Sequence, residues 1–256
     1  MPIGISTLCT FGETFAKISR YREFTPSVIE ILDDWLDWLD GSRIALLSSL
    51  ASEWDVLYTI HSPIIDINLA SLNAEVRDLS IRRVKESIAH AHKLGASLVV
   101  IHPGVSSGLD KVAPDTHWRL NYDSLSKILE YAEREGVRIC LENMPAGERL
   151  LFKTPEEFLC LSEEGLTIGM ALDVGHANTV GLLPEFLDKL RGRIVHLHLH
   201  DNMGTNDEHL VVGKGTVDWG LVRKRVDLCR ITGVVECHTL KDAAESLSAS
   251  RHAFRS

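Results

Sequence analysis

Cysteine is scarce and scattered in this chain. The five, Cys9, Cys140, Cys160, Cys229 and Cys237, are odd in number and form no Cys-x-x-Cys pair. That excludes a disulfide framework and a thiolate zinc site, and it fits free thiols in a reducing cytosol. Long apolar runs are missing too, each being far too short to span a bilayer. The first residues, MPIGISTLCTFG, lack a basic stretch followed by an apolar one. A cytoplasmic protein with no membrane partner is therefore expected. Positive charge is in deficit, with 27 Lys and Arg against 36 Asp and Glu and a net charge of −9. Such a balance opposes broad contact with nucleic acid or anionic membrane, although a local cationic site remains compatible with it. No basic stripe with interleaved aromatics appears.

What is present is alternation. Short β-rich apolar runs lie at Ile3–Thr7, Arg43–Leu47, Leu57–His61, Ser97–His102, Val137–Glu142, Thr167–Asp173, Ile194–His200 and Gly233–Cys237. Helical patterns separate them at Ser80–Leu94, Asn121–Glu135, Pro155–Glu163, Leu183–Leu190 and Leu221–Arg230. Gly95 and Gly136 each sit after a helix and before a strand, where a C-cap belongs. Strict alternation predicts parallel strands with helices packed outside. Eight units within 256 residues predict one α/β domain over 1–256, a single (β/α)8 TIM barrel. An open doubly wound sheet would leave the count unexplained. Ser48–Asp55 is short for a crossover helix, and Cys9–Thr25 reads as a long polar loop folding over the mouth. Trp35 and Trp38, on an acidic first helix (DDWLDWLD), mark either a contact face or ordinary core packing; oligomeric state is not otherwise encoded.

The strand ends carry the chemistry. The third predicted strand ends on His61, the fourth on His102 and the fifth on Glu142. The sixth ends on Asp173 with His176 just beyond, the seventh reads VHLHLHD, and the eighth carries Glu236. In a barrel these ends converge on one mouth. Imidazole with carboxylate is the ligand set of Zn2+ or Mn2+, with Fe2+ or Co2+ also compatible. A lone histidine ending a strand is more often a hydrogen-bonded structural residue; six such ends together are hard to obtain by chance. His196, His198 and His200 share one face by the two-residue period. Of these, His198 is the expected ligand, with His196 deeper and His200 nearer the rim. Asp207 and His209 in the following loop form a pair able to clamp a further ion, or else belong to an ordinary polar loop.

The segments HSPIIDINLAS, VVIHPG, LENMP, LDVGHAN, HLHDN, DEHLVVGKGTVDW and VEC resemble strand ends and loops of the xylose isomerase-like barrels, which include AP endonuclease family 2. The resemblance covers nearly the whole chain, most clearly from His61 to Glu236, and implies divalent metal, one to three ions per chain. In the sugar isomerases and epimerases of that group one metal is held by a set matching Glu142, Asp173, His198 and Glu236. In its endonuclease IV branch three zinc ions are held by nine residues, matching His61, His102, Glu142, Asp173, His176, His198, Asp207, His209 and Glu236. One departure bears on nucleic acid. After His61 the chain runs Ser62-Pro63-Ile64-Ile65-Asp66-Ile67-Asn68-Leu69, with no aromatic wedge of the kind base extrusion uses.

Charge separates the readings. One M2+ among Glu142, Asp173, Glu236 and neutral His198 leaves the centre at −1, which suits a polyol. Three M2+ with Asp207 added leave +2, which attracts a phosphodiester and acidifies a water. The first reading is a sugar or sugar-phosphate isomerase or epimerase. In it Glu142 and Glu236 move a proton through an enediolate, His176 positions a hydroxyl, and Asn143, His200 and Lys214 contact substrate. The plainer alternatives are a loop hydrogen bond for Asn143 and a solvated lysine for Lys214. The second reading is a multinuclear phosphodiesterase, and the third a metal-binding barrel without turnover.

Overall fold

The computed structural model describes residues 1–108, 112 and 114–254. Eight strands, β1 (Ile3–Ser6), β2 (Val28–Leu32), β3 (Leu57–His61), β4 (Val99–Ile101), β5 (Ile139–Glu142), β6 (Gly169–Asp173), β7 (Ile194–Leu199) and β8 (Thr232–Val235), pair in parallel with their sequence neighbours. The ring closes where Ile3 pairs with Gly233 and Ile5 with Val235. Parallel neighbours cannot be joined by a tight turn, so each connection recrosses the outside of the barrel. The helices doing this are α1 (Thr14–Lys17), α2 (Gly41–Trp54), α3 (Ala74–Leu94), α4 (Thr116–Glu135), α5 (Pro155–Glu163), α6 (Val174–Thr179), α7 (Leu183–Lys189), α8 (Trp219–Arg225) and α9 (Leu240–Ala253). The structure is thus the single (β/α)8 barrel expected.

Local chemistry sets several boundaries. Gly95 and Gly136 end α3 and α4 at φ of 71° and 68°, a left-handed conformation that costs glycine no Cβ clash. Thr154 and Glu157 cap α5 reciprocally, with Pro155 in its first turn.

Four expectations fail early in the chain. Arg43–Leu47 is not the second strand but part of α2. The Asp40 side chain accepts from Arg43 N–H, and Ile44 and Leu47 are buried at helical spacing. The strand is Val28–Leu32, VIEIL, whose apolar run is interrupted by a glutamate. Ser48–Asp55 therefore completes the crossover helix rather than falling short of one. Cys9–Thr25 is not an open loop: it winds through 3-10 turns at Thr7–Thr10 and Ile18–Phe24 around α1. DDWLDWLD forms only a 3-10 turn at Trp35–Asp37. Trp35 is exposed beside Phe11, while the Arg83 guanidinium lies over Trp38 at 3.7 Å. Among the described residues no helix is long and apolar enough to cross a membrane.

Burial falls into two layers. The large apolar cluster fills the space between strands and helices. A small one, Leu98, Val100, Cys140 and Ala171, occupies the barrel interior. Following the two-residue alternation from these positions, His102, Glu142 and Asp173 also point inward, at the C-terminal ends of their strands.

Candidate metal centre

The inward row on each strand turns polar as it approaches the mouth, and there the titratable side chains meet. Ligand atoms of Glu142, Asp173, His198 and Glu236 all lie within 4.8 Å of one another. Three further sets meet the same limit: His61, His102 and Glu142; His176, His200, Asp207 and His209; and, beneath the mouth, Glu30, His196 and His198. The two oxygens of Glu142 divide between neighbours. Oε2 faces His61 Nε2 at 3.1 Å and His102 Nε2 at 2.9 Å, and Oε1 faces His198 Nδ1 at 2.9 Å. Asp207 Oδ2 lies 3.1 Å from His176 Nε2 and 3.3 Å from His209 Nε2. The sets at the mouth flank a cavity of about 180 Å3 whose lining includes His61, His102, Glu142, His176, Asp207 and Glu236 and, among the described residues, no lysine or arginine.

The tautomers test whether this donor set fits a cation. A backbone carbonyl only accepts, so His61 Nδ1–H donates to Ser62 O (2.9 Å), His176 Nδ1–H to Asn143 O (2.7 Å) and His209 Nδ1–H to Glu236 O (3.2 Å). Each neutral ring then aims its Nε2 lone pair at a carboxylate, which is repulsive until a proton or a metal ion lies between. His198 is turned the other way. Its Nε2 faces Glu30 Oε1 at 3.1 Å, leaving Nδ1 toward Glu142, Asp173 Oδ2 (3.7 Å) and Glu236 Oε2 (3.6 Å). Within the tetrad three carboxylates surround one imidazole; His61 and His102 also face Glu142 and His200 faces Asp173, whereas the imidazole contact of Glu236 is the long one to His198 at 3.6 Å. The tetrad therefore most demands a divalent ion, and its ligand types fit Zn2+ or Mn2+. In the outer two sets either a proton or a metal balances the charge.

The ionisation follows. Burial opposes charge on His61, yet its hydrogen bond to Glu142 and the charge there lift it to about 9. Burial likewise opposes charge on His176 and His209, but Asp173 and Asp207 raise the first to about 10, and Asp207 and Glu236 raise the second to about 9. His198 lies well above its ordinary value against the same burial cost, chiefly through Glu142. His102 moves down because burial outweighs Glu142. Glu142, Asp173 and Asp207 all sit below the usual carboxylate range although burial pushes them up, the surrounding imidazoles prevailing.

The structure brings the nine residues of the expected ligand sets to this one mouth. Of the residues expected to contact substrate, His200 joins the cluster at the mouth, whereas Asn143 and Lys214 are engaged elsewhere. Asn143 is buried and spends both amide atoms on the Asp173 backbone, Nδ2 donating to O (3.0 Å) and Oδ1 accepting from N–H (2.8 Å). Lys214 is exposed and pairs with Glu245 of α9 at 2.6 Å. His200, anticipated near the rim, is instead fully buried, stacked on His209 at 3.9 Å and paired with Asp173 at 3.0 Å. The inward period carries it under the loop that holds Asp207. Gly175 leaves the room it needs, since a Cβ there would lie 2.0 Å from His200 Cε1. One residue escaped the sequence reading. Glu30 of β2, without exposed surface, accepts from Thr59 Oγ1 (2.9 Å) and faces His196 (3.2 Å) and His198. Its one signal was an acid in the middle of an apolar run.

With this geometry in place, similarity to known proteins gains meaning. The sequence model for the xylose isomerase-like TIM barrel matches residues 25–255. The uncharacterized protein MJ1311 of Methanocaldococcus jannaschii is 33% identical over 254 residues, 96% of this chain and 87% of its own length. A solved D-tagatose 3-epimerase-like protein superposes with a TM-score of 0.90 at 31% identity, over 99% of this chain and 97% of the other. The probable endonuclease 4 of Thermoplasma volcanium is 26% identical over 172 residues, 61% of this chain and 58% of that protein.

Proposed function

The chain belongs to the xylose isomerase-like TIM barrel family, and we propose that it is a divalent-metal-dependent isomerase or epimerase of a sugar or sugar derivative. The observation that carries this reading is the cavity itself. A tetrad that demands one cation opens on about 180 Å3 of space whose lining, among the described residues, holds no lysine or arginine. With a metal ion displacing imidazole protons as it binds, a neutral hydroxycarbonyl group could enter among the lining imidazoles, none of which is a fixed cation. Likeness to the D-tagatose 3-epimerase-like protein supports the same reading.

A divalent ion held by Glu142, Asp173, His198 and Glu236 would polarise a carbonyl and its neighbouring hydroxyl, acidifying the C–H between them. Glu236 is the carboxylate best placed to take that proton. It lines the cavity, and its nearest imidazole contact, at 3.6 Å, is longer than those of Glu142. The abstracted proton would stay on Glu236, and Glu142, across the tetrad, would deliver a different proton to the other face, passed to its Oε2 from the protonated His61 Nε2 at 3.1 Å. His176, held by Asn143 O, presents Nε2 to a substrate hydroxyl. Leu8, Leu32 and Ile64 in the same lining restrict water.

The test is proton exchange. Metal-loaded protein incubated in D2O with a panel of ketoses should place deuterium on the carbon beside the carbonyl, read by NMR. Glu236→Gln should keep its fold and, when assayed at saturating metal with the bound metal measured, lose at least a hundredfold in exchange, in line with removal of a general base. Exchange at the wild-type rate in that variant would defeat the assignment.

A second reading, a multinuclear phosphodiesterase, is favoured by the split of the Glu142 oxygens between two clusters and by the similarity to endonuclease 4. Three metals per chain with cleavage of an abasic-site duplex would select it; one metal with C–H exchange selects the first.

A further inference from the structure

A second cavity, of about 280 Å3, adjoins the metal mouth, and Ile64 and His102 line both. Its remaining wall is apolar: Ile67, Leu69, Val105, Met144 and Leu150 contribute. Nothing in the metal chemistry requires such a space. A water placed there would find few polar partners, whereas an apolar cavity of about 150 Å3 already accommodates a benzene ring.

The walls are fixed before any ligand arrives. Ile64 and Ile65 N–H both donate to Asp34 Oδ2, at 2.9 and 2.8 Å, which pins their apolar side chains at the mouth although both are exposed. Asn68 clasps Val105 from both sides, Nδ2 donating to its O (2.9 Å) and Oδ1 accepting from its N–H (2.8 Å). Val105 in turn bridges Leu150, and Met144 N–H donates to Phe152 O at 3.0 Å. Gly104 lets this wall close on the 62–70 loop, since a Cβ there would lie 2.2 Å from Ala70 N. A preformed pocket binds without the entropic cost of ordering its walls.

We propose that the substrate is amphipathic: a hydroxycarbonyl group at the metal end joined to an apolar alkyl or aryl group that fills the pocket between Ile64, Ile67, Val105 and Leu150. This rests on the hydroxycarbonyl reading of the site and narrows it to a substrate class. A plain polyol would leave the apolar pocket without an occupant.

Hydroxamates present two metal-binding oxygens in the geometry of a hydroxycarbonyl, and they separate the two ideas without turnover. Zn2+-loaded protein should bind benzohydroxamate at least tenfold more tightly than acetohydroxamate by calorimetry. That ratio should fall toward one in Leu150→Asn and in Ile64→Asn, the latter a substitution at an exposed position where folding is not at stake. Equal affinities in the wild type would overturn the apolar subsite and leave the hydroxycarbonyl reading intact. Failure of both probes to bind would overturn both. A tenfold preference surviving in both variants would also overturn it, by placing the ring elsewhere.

Discussion

A carboxylate without exposed surface is among the most costly groups a protein can bury, and one left unpaired costs several kcal/mol. Glu30 is such a group, accepting from Thr59 and facing two histidines. Its negative charge, 3.1 Å from His198 Nε2, favours a proton on that nitrogen and so the Nδ1 lone pair toward the tetrad, although the two atoms lack hydrogen-bond geometry. A neutral amide would hold that proton less firmly. Glu30→Gln is therefore expected to weaken metal binding about 10–100-fold, the loss seen when a ligand histidine loses its outer partner, while circular dichroism stays unchanged. Competition against a chromophoric chelator measures it, and unaltered affinity would show that Glu30 serves packing alone. The strand-end ligands were legible because each is a lone polar residue closing an apolar run. Glu30 was not, because a charge in mid-strand reads as an interruption until the barrel curls it against His196 and His198.

The same glutamate explains the largest error at the level of elements. VIEIL has the length of a strand but a broken apolar pattern, whereas Arg43–Leu47 offers a compact apolar run that in fact belongs to the amphipathic helix α2, capped by Asp40. Short apolar runs are ambiguous between strand and helix until their caps are weighed. Elsewhere the expected strands match those observed to within two residues at either end. Element packing also accounts for the glycine in LDVGHAN. The α6 N-terminus lies so close to β7 that only hydrogen fits between Gly175 and the buried His200 ring. Gly175→Ala must push that ring off Asp173 and off its stack on His209. The expected cost is about 1–3 kcal/mol of stability, with a parallel loss of metal affinity; a melting temperature equal to wild type would show that the ring has room to move.

Across the whole molecule, the net charge of −9 is not spread evenly. Glu30, Glu142, Asp173, Asp207 and Glu236 gather at or beneath one mouth. Without metal, protons on the histidines hold this cluster together. His61 and His209 at about 9, and His176 at about 10, carry charge at neutral pH. Their folded values lie above the unfolded 6.5, so the stabilisation they give is complete below pH 6.5 and lost as pH climbs through 9 to 10. A metal ion takes only neutral imidazole, so every ion that enters must displace such protons. Affinity should accordingly rise with pH between 7 and 9, by up to about tenfold per unit for each proton displaced, and level off above 10. Calorimetric titration in two buffers of different ionisation enthalpy counts those protons directly. Release of about one proton would confine binding to the tetrad, where His198 is the only imidazole to deprotonate, and would favour the single-metal isomerase. Three or more would mean that the sets around His61 and His176 had filled as well, turning the mouth from negative to positive and its chemistry from polyol to phosphodiester. No proton release at all, with affinity flat from pH 7 to 9, would show that these histidines are not metal ligands.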